Sequence, residues 1–158
     1  MTTPTTEAVE KAAVVSNTRD MSFFLAGKEK PVTEENVVVS RRYVDAEGKV
    51  IPFVMKPITT ERIEEIEADC YTPVYEGSKK VGEEFDRPRW IARMGIESTV
   101  YPNFRDKDLL KSFGAQDPVE VLKKMLSVGG EYAEFMKAAQ RINGYMDTFE
   151  DLVSEAKN

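Results

Sequence analysis

Histidine is missing from all 158 residues of this chain. Without an imidazole, Ser-His-Asp and Cys-His nucleophilic systems, His-ligated zinc and histidine general acid/base chemistry are excluded. Cysteine occurs once, as Cys70, so an internal disulfide framework is impossible and nothing points to an oxidising compartment. That thiol is spaced with Ile63 and Ile66 on one helical face and has no histidine to activate it, so it reads as a small core residue. No run of about 18 apolar residues occurs. The start, "MTTPTTEAVEKAAVV", lacks a basic region leading into an apolar stretch, so neither a membrane span nor a secretory signal is expected. A basic excess is also lacking: 28 acidic side chains against 22 basic ones leave a net charge of −6. That balance repels polyanions, and neither nucleic acid nor a membrane surface is an expected partner.

Short stretches that imitate functional motifs fail on their chemistry. Gly77-Ser78-Lys79-Lys80-Val81-Gly82 has the glycine spacing of a phosphate-binding loop, yet Glu83 and Glu84 stand where Lys and Ser/Thr must meet phosphate and magnesium. Ser154-Glu155-Ala156-Lys157 matches S-x-x-K at the last turn of the chain, where nothing encloses an acyl-enzyme site. Glu61, Glu64, Glu65, Glu67 and Asp69 fall on a helix as a solvated face and lack the loop geometry of a calcium site. Arg41-Arg42-Tyr43 and "DRPRW" (86–90) are basic-aromatic pieces, better matched to the protein's own acids or an acidic protein partner than to nucleic acid. No catalytic residue, cofactor site or metal site is assigned.

What is present is enough for one core. The chain is 41% hydrophobic and 32% charged, and folding a chain of this length buries about 70% of the surface it exposes when unfolded. Residues 1–19 read as a flexible N-terminal tail with a weak helical stripe at Val9, Ala12 and Ala13, and 20–158 as a single domain. In "DMSFFLAG", Asp20 or Ser22 caps a short turn that Gly27 stops, leaving Phe23, Phe24 and Leu25 as an apolar cluster to dock on the core or to meet a partner.

Asp45-Ala46-Glu47-Gly48 predicts a hairpin turn with Gly48 left-handed. The register that follows pairs Val39 with Met55, Ser40 with Val54, Arg41 with Phe53, Arg42 with Pro52, Tyr43 with Ile51 and Val44 with Val50. Pro52 and Pro57 remove donors from the second strand, so any further strand is expected beside residues 37–44. From Thr59 the period becomes helical, with Ile63, Ile66 and Cys70 in line; residues 71–86 read as a variable loop. A second helix is capped by Asp86, runs from about Pro88 to Val100, presents Ile91, Met94 and Ser98, and ends at Pro102. Asp106 opens and Gly114 closes a short third, and Asp117-Pro118-Val119-Glu120 opens a fourth with Leu122, Met125 and Leu126 inward. After Gly129-Gly130 the stripe Tyr132, Phe135, Met136, Ala139 and Ile142 runs to Asn143-Gly144, and a last helix from Thr148 carries Phe149. The fold class is α+β, mainly α, with an N-terminal β-hairpin packed on a bundle of about five short helices.

The ordered succession of "MSFFLAG" (21–27), "SRRYVDAEGKVIPFVMKPIT" (40–59), "ERIEEI", "VYPNFRDKDLLKSFG" (100–114), "VLKKML" (121–126), "GEYAEF" (130–135), "INGY" (142–145) and "LVSEAKN" (152–158) resembles the XkdN-like phage tail assembly chaperones, over nearly everything after residue 20. The resemblance implies a non-enzymatic protein in the host cytoplasm. It would bind the tape measure protein, keep it soluble, help recruit tail tube subunits, and be absent from the mature particle; self-association is a further option. It carries over no partner residues. A helix-in-groove mode assigns that task to exposed members of Phe23, Phe24, Leu25, Trp90, Tyr132, Phe135 and Phe149. The alternative is a structural minor tail component retained in the particle.

Overall fold

The computed structural model describes residues 19–145 together with Ala156 and Lys157; the expected stripe at 9–13 and the last helix from Thr148 lie outside them. The chain divides into two units, Met1–Val32 and Thr33–Asn158. In the first, a single 3₁₀ turn spans Met21–Phe24; the Asp20 carboxylate accepts the Ser22 N–H at 2.8 Å, and Gly27 leaves the turn at φ 86°.

The second unit is mixed α+β and mainly α. Its described residues form helices α1 (Thr60–Ala68), α2 (Arg87–Ser98), α3 (Lys107–Ser112), α4 (Pro118–Met125) and α5 (Gly129–Ile142). The strands are β1 (Glu35–Val37), β2 (Phe53–Met55), β3 (Tyr71–Glu76), β4 (Lys79–Phe85) and β5 (Thr99–Tyr101). Four helices start where a side-chain oxygen takes an otherwise orphaned N–H. Thr59 accepts from Arg62, Asp86 from Arg89, Asp106 from Leu109 and Asp117 from Glu120, at 3.0–3.2 Å. Two buried clusters make the core. One is centred on Phe53, Phe104 and Phe135, which meet edge-on at 5.9–6.2 Å, with Met55, Leu122 and Leu126 around them. The other holds Ile63, Ile66, Cys70, Trp90, Met94 and Ala139, and the half-buried Met136 packs against both. Helices α2 and α5 cross closely because Gly95 has no side chain: a Cβ there would stand 2.6 Å from the Phe135 ring.

The N-terminal hairpin keeps its turn and changes its register. Gly48 adopts φ 81° and its N–H donates to the Asp45 carbonyl at 3.0 Å; Val44 faces Val50, and the Ile51 N–H donates to Tyr43 O at 2.9 Å. Farther out, Met55 faces Glu35, Val54 faces Asn36 and Phe53 faces Val37, in place of the expected Val39, Ser40 and Arg41. Residues 38–42 leave the ladder instead. Val39 sinks into the core, the Ser40 hydroxyl donates to Glu131, and the Arg42 guanidinium reaches Glu131 at 2.5 Å and the Met125 carbonyl at 3.2 Å. Charge-assisted bonds to α5 replace ladder bonds, one of which faced Pro52 and had no donor to use.

Three further expectations are corrected. The third strand, β5, pairs with β2 and not with 37–44, giving the order β1-β2-β5. Phe53, Val54 and Met55 lie between Pro52 and Pro57 and keep all their N–H groups, so the prolines delimit this strand without blunting it. Helix α2 ends at Ser98, and residues 99–101 continue as strand before Pro102. The expected loop at 71–86 is an antiparallel hairpin, β3–β4, turning at Gly77 (φ 64°) with a bulge between Val74 and Tyr75. Its alternation places Tyr71, Pro73 and Tyr75 on one face with Glu83 and Phe85 opposite. Gly77 and Gly82 are thus hairpin residues, not a phosphate cradle.

Candidate partner-binding surface

The residues proposed from sequence separate by burial. Phe135 is fully buried, and Trp90 is 7% exposed between Phe85 and Tyr145, whose rings lie at 5.8 and 5.4 Å. Both are core residues and present no face to a partner. Phe149 lies outside the described residues. Phe23, Phe24 and Leu25 are exposed, Phe24 to 78%. Tyr132 is half-buried, and burial pushes its hydroxyl pKa up.

Sequence reasoning missed the aromatic face of the β3–β4 hairpin. Tyr71 and Tyr75 are about half exposed, and the Tyr71 ring lies 5.3 Å from Phe85, which in turn contacts Trp90. The signal was present as a period-two pattern, Tyr71-x-Pro73-x-Tyr75. It was hidden by a proline and two glycines that also read as loop punctuation.

Two concave features flank α5 and α2. A groove of about 630 Å³ runs between residues 38–42 and the start of α5, with Val38, Val39 and Val128 as its apolar part and Arg41, Arg42 and Glu134 on its rim. Glu131 in its wall carries a carboxyl pKa of about 2, held down first by the Arg42 hydrogen bonds and then by Ser40. A second feature, a furrow, lies where α2 packs on α4, as adjoining hollows of about 300 and 130 Å³ that share Arg89 and Val119. Glu97 at its edge is bound by Arg62 at 2.9 Å and by Arg105, and those two bonds keep its pKa below the usual carboxylate range.

No catalytic arrangement emerges around these surfaces. Burial raises the pKa of the Cys70 thiol, which favours the unreactive protonated form. Among the described residues no group of three or more His, Cys, Asp or Glu side chains is placed to hold a metal ion, and no helix is long and apolar enough to cross a membrane.

Residues 21–157 match the family model of the phage XkdN-like tail assembly chaperone proteins. The chain belongs to this family. It is 50% identical over 144 residues to the phage-like element PBSX protein XkdN of Bacillus subtilis strain 168, covering 90% of this chain and 96% of that protein. It is 48% identical over 141 residues to protein YqbN of the same strain, covering 88% and 93%. The crystal structure of YqbN superposes with a TM-score of 0.67 at 44% identity over 79% of this chain and 96% of that one. The family match excludes no more of the front end than residues 1–20.

Proposed function

We propose that this tail assembly chaperone serves a phage or prophage-derived element by binding the tape measure protein in the host cytoplasm, keeping it soluble and helping recruit tail tube subunits. It then stays out of the finished particle. It does this work by holding its client, without catalysis. The observation that supports this reading best is the pairing of family membership with large apolar side chains turned to solvent, Phe23, Phe24, Leu25, Tyr71 and Tyr75 foremost. An amphipathic client helix covers such side chains at little entropic cost when they sit on short, fixed elements.

The test is affinity co-purification of the tape measure protein with the tagged chain. Replacing Phe23, Phe24 and Leu25 by Ala is expected to cut recovery strongly, since each exposed anchor removed costs about 1–2 kcal/mol of binding. Undiminished recovery removes these three residues from the surface. Mass spectrometry of purified particles separates the chaperone from a retained structural subunit: absence supports the proposal, and stoichiometric presence contradicts it.

A further inference from the structure

Residues 34–42 read "EENVVVSRR". Within them β1 pairs with β2 along one side and stands at the edge of its sheet, with no strand on its other side among the described residues. Val38, Val39, Ser40 and Arg41 run on from β1 and make no backbone-to-backbone hydrogen bond among the described residues. Val39 and Ser40 are nevertheless buried, and the N–H and C=O groups of buried residues are almost always paired. An added strand supplies such partners, whereas a docked helix has spent its own backbone bonds internally. The valines at 37–39 also lack the devices that turn other chains away: no proline, glycine, charge or bulge interrupts them. At the opposite edge β5 pairs through a bulge and runs into Pro102. The groove beside residues 38–42, with Val38 and Val128 about half exposed in its apolar part, leaves room for a further chain.

The charges at the two ends of this stretch are opposite and only partly used. Arg42 is bound to Glu131, and Glu134 to Lys137 at 3.4 Å, so Arg41, which forms no ion pair among the described residues, leaves its end with unmatched positive charge. Glu35 is bound to Arg141 at 2.8 Å, and Glu34, likewise without an ion pair among the described residues, leaves the other end with unmatched negative charge. Read outward from Val38, Val37 answers Val39, Asn36 answers Ser40, Glu35 answers Arg41 and Glu34 answers Arg42. Laid antiparallel on itself about Val38, the stretch sets valine against valine and each glutamate against an arginine. Laid parallel and in register, it stacks like charges.

We infer that residues 34–42 are the contact through which two copies of this chain associate, their edges pairing antiparallel about a two-fold axis at Val38. A strand from another protein would meet the same backbone groups, but this chain already carries the complementary order of charge. The net charge of −6 on each copy opposes association. At about 0.15 M salt, however, exposed charges more than about 8 Å apart are largely screened, while those in contact across the paired edges are not. The inference goes beyond the proposed function and does not depend on it; a dimer carries every client-binding surface twice.

The experiment is sedimentation velocity of the full chain over a concentration series, with two single variants, Arg41→Glu and Glu35→Arg, run alone and mixed. The parent is expected to pass from monomer to dimer as concentration rises. Either substitution sets like charges against each other at both symmetry-related contacts and is expected to weaken the dimer by about tenfold or more. Mixed in equal amounts, the two variants regain opposite charges at both contacts, Glu35 of one with Arg41 of the other and the two substituted side chains together, and are expected to dimerise with each other. Both positions are exposed, so circular dichroism of each variant should match the parent. Lys79→Glu makes the same change in net charge as Arg41→Glu at an exposed site on β4 and should leave the dimer unchanged. A parent that stays monomeric throughout the series, a dimer indifferent to both variants, or a mixture no more associated than its components overturns the inference. The measurement contains this chain alone, so its failure is distinct from failure of the chaperone reading, which co-purification registers.

Discussion

Gly95 stands where α2 crosses α5, and a methyl group on it would meet the Phe135 ring at 2.6 Å and the Ala139 Cβ at 2.9 Å. Both neighbours are fully buried and have nowhere to move. Alanine gains about 1 kcal/mol of helix propensity over glycine, while overpacking a core costs about 1–3 kcal/mol and rises with the rigidity of what is displaced. At contacts this short the cost wins. Gly95→Ala is expected to lower the midpoint of thermal unfolding by several degrees.

Glu131 sets a second prediction at this scale. Its folded pKa of about 2 lies below the ordinary value of 4.5, so its contribution to stability is complete above pH 4.5 and is lost as pH falls toward 2. Glu97, also depressed by its arginines, adds to the loss in the same direction. Thermal melts across that window should show the parent destabilised by acid more steeply than Glu131→Gln, which titrates no proton there. Parallel curves for the two proteins would contradict the assigned role.

Among elements, the helix starts were legible because their chemistry is local. Thr59, Asp86, Asp106 and Asp117 each bond an N–H three residues on, so the cap and its partner lie in the same short word of sequence. The same holds for the turn at Gly48, whose conformation depends on four consecutive residues. The hairpin register was not legible, because Ser40 answers to Glu131, 91 residues away, and no local pattern announces that bond. The partner of β2 was misplaced for a related reason: prolines at its ends were weighed for the donors they lack, although the residues between them are the ones that pair. Among the candidate site residues, burial divides the set without testing any of them as a partner contact. Phe135 lies on a stripe that sequence alone cannot divide into core and surface, and Trp90 sits beside the Ile91, Met94 and Ser98 stripe in a basic-aromatic stretch that reads as surface, whereas Phe23, Phe24 and Leu25 fall in a stretch too short to form a core face.

The β3–β4 hairpin adds an element-scale prediction. Its described side chains are exposed except for the half-buried Phe85, and both outer edges are poor templates for pairing: β3 carries Pro73, while β4 carries the bulge and Lys79 and Lys80. It therefore contributes little to the core. Joining Thr72 to Glu84 through a two-residue turn should leave the thermal midpoint within about 3 °C of the parent while removing Tyr75. A large drop would show that the hairpin supports the helices after all.

For the whole molecule, the α+β unit is built on two modest buried clusters and carries a net charge of −6, with apolar side chains left in solvent. That combination fits the proposed task of covering another protein's apolar helices during assembly. The decisive measurement is co-expression with the tape measure protein of the same element, scoring the soluble fraction of the latter with and without this chain. The account predicts that the tape measure protein is found mainly in the soluble fraction, bound to this chain, when the two are made together, and mainly in the pellet when it is made alone. Equal solubility in both cases, with no complex recovered, would contradict it.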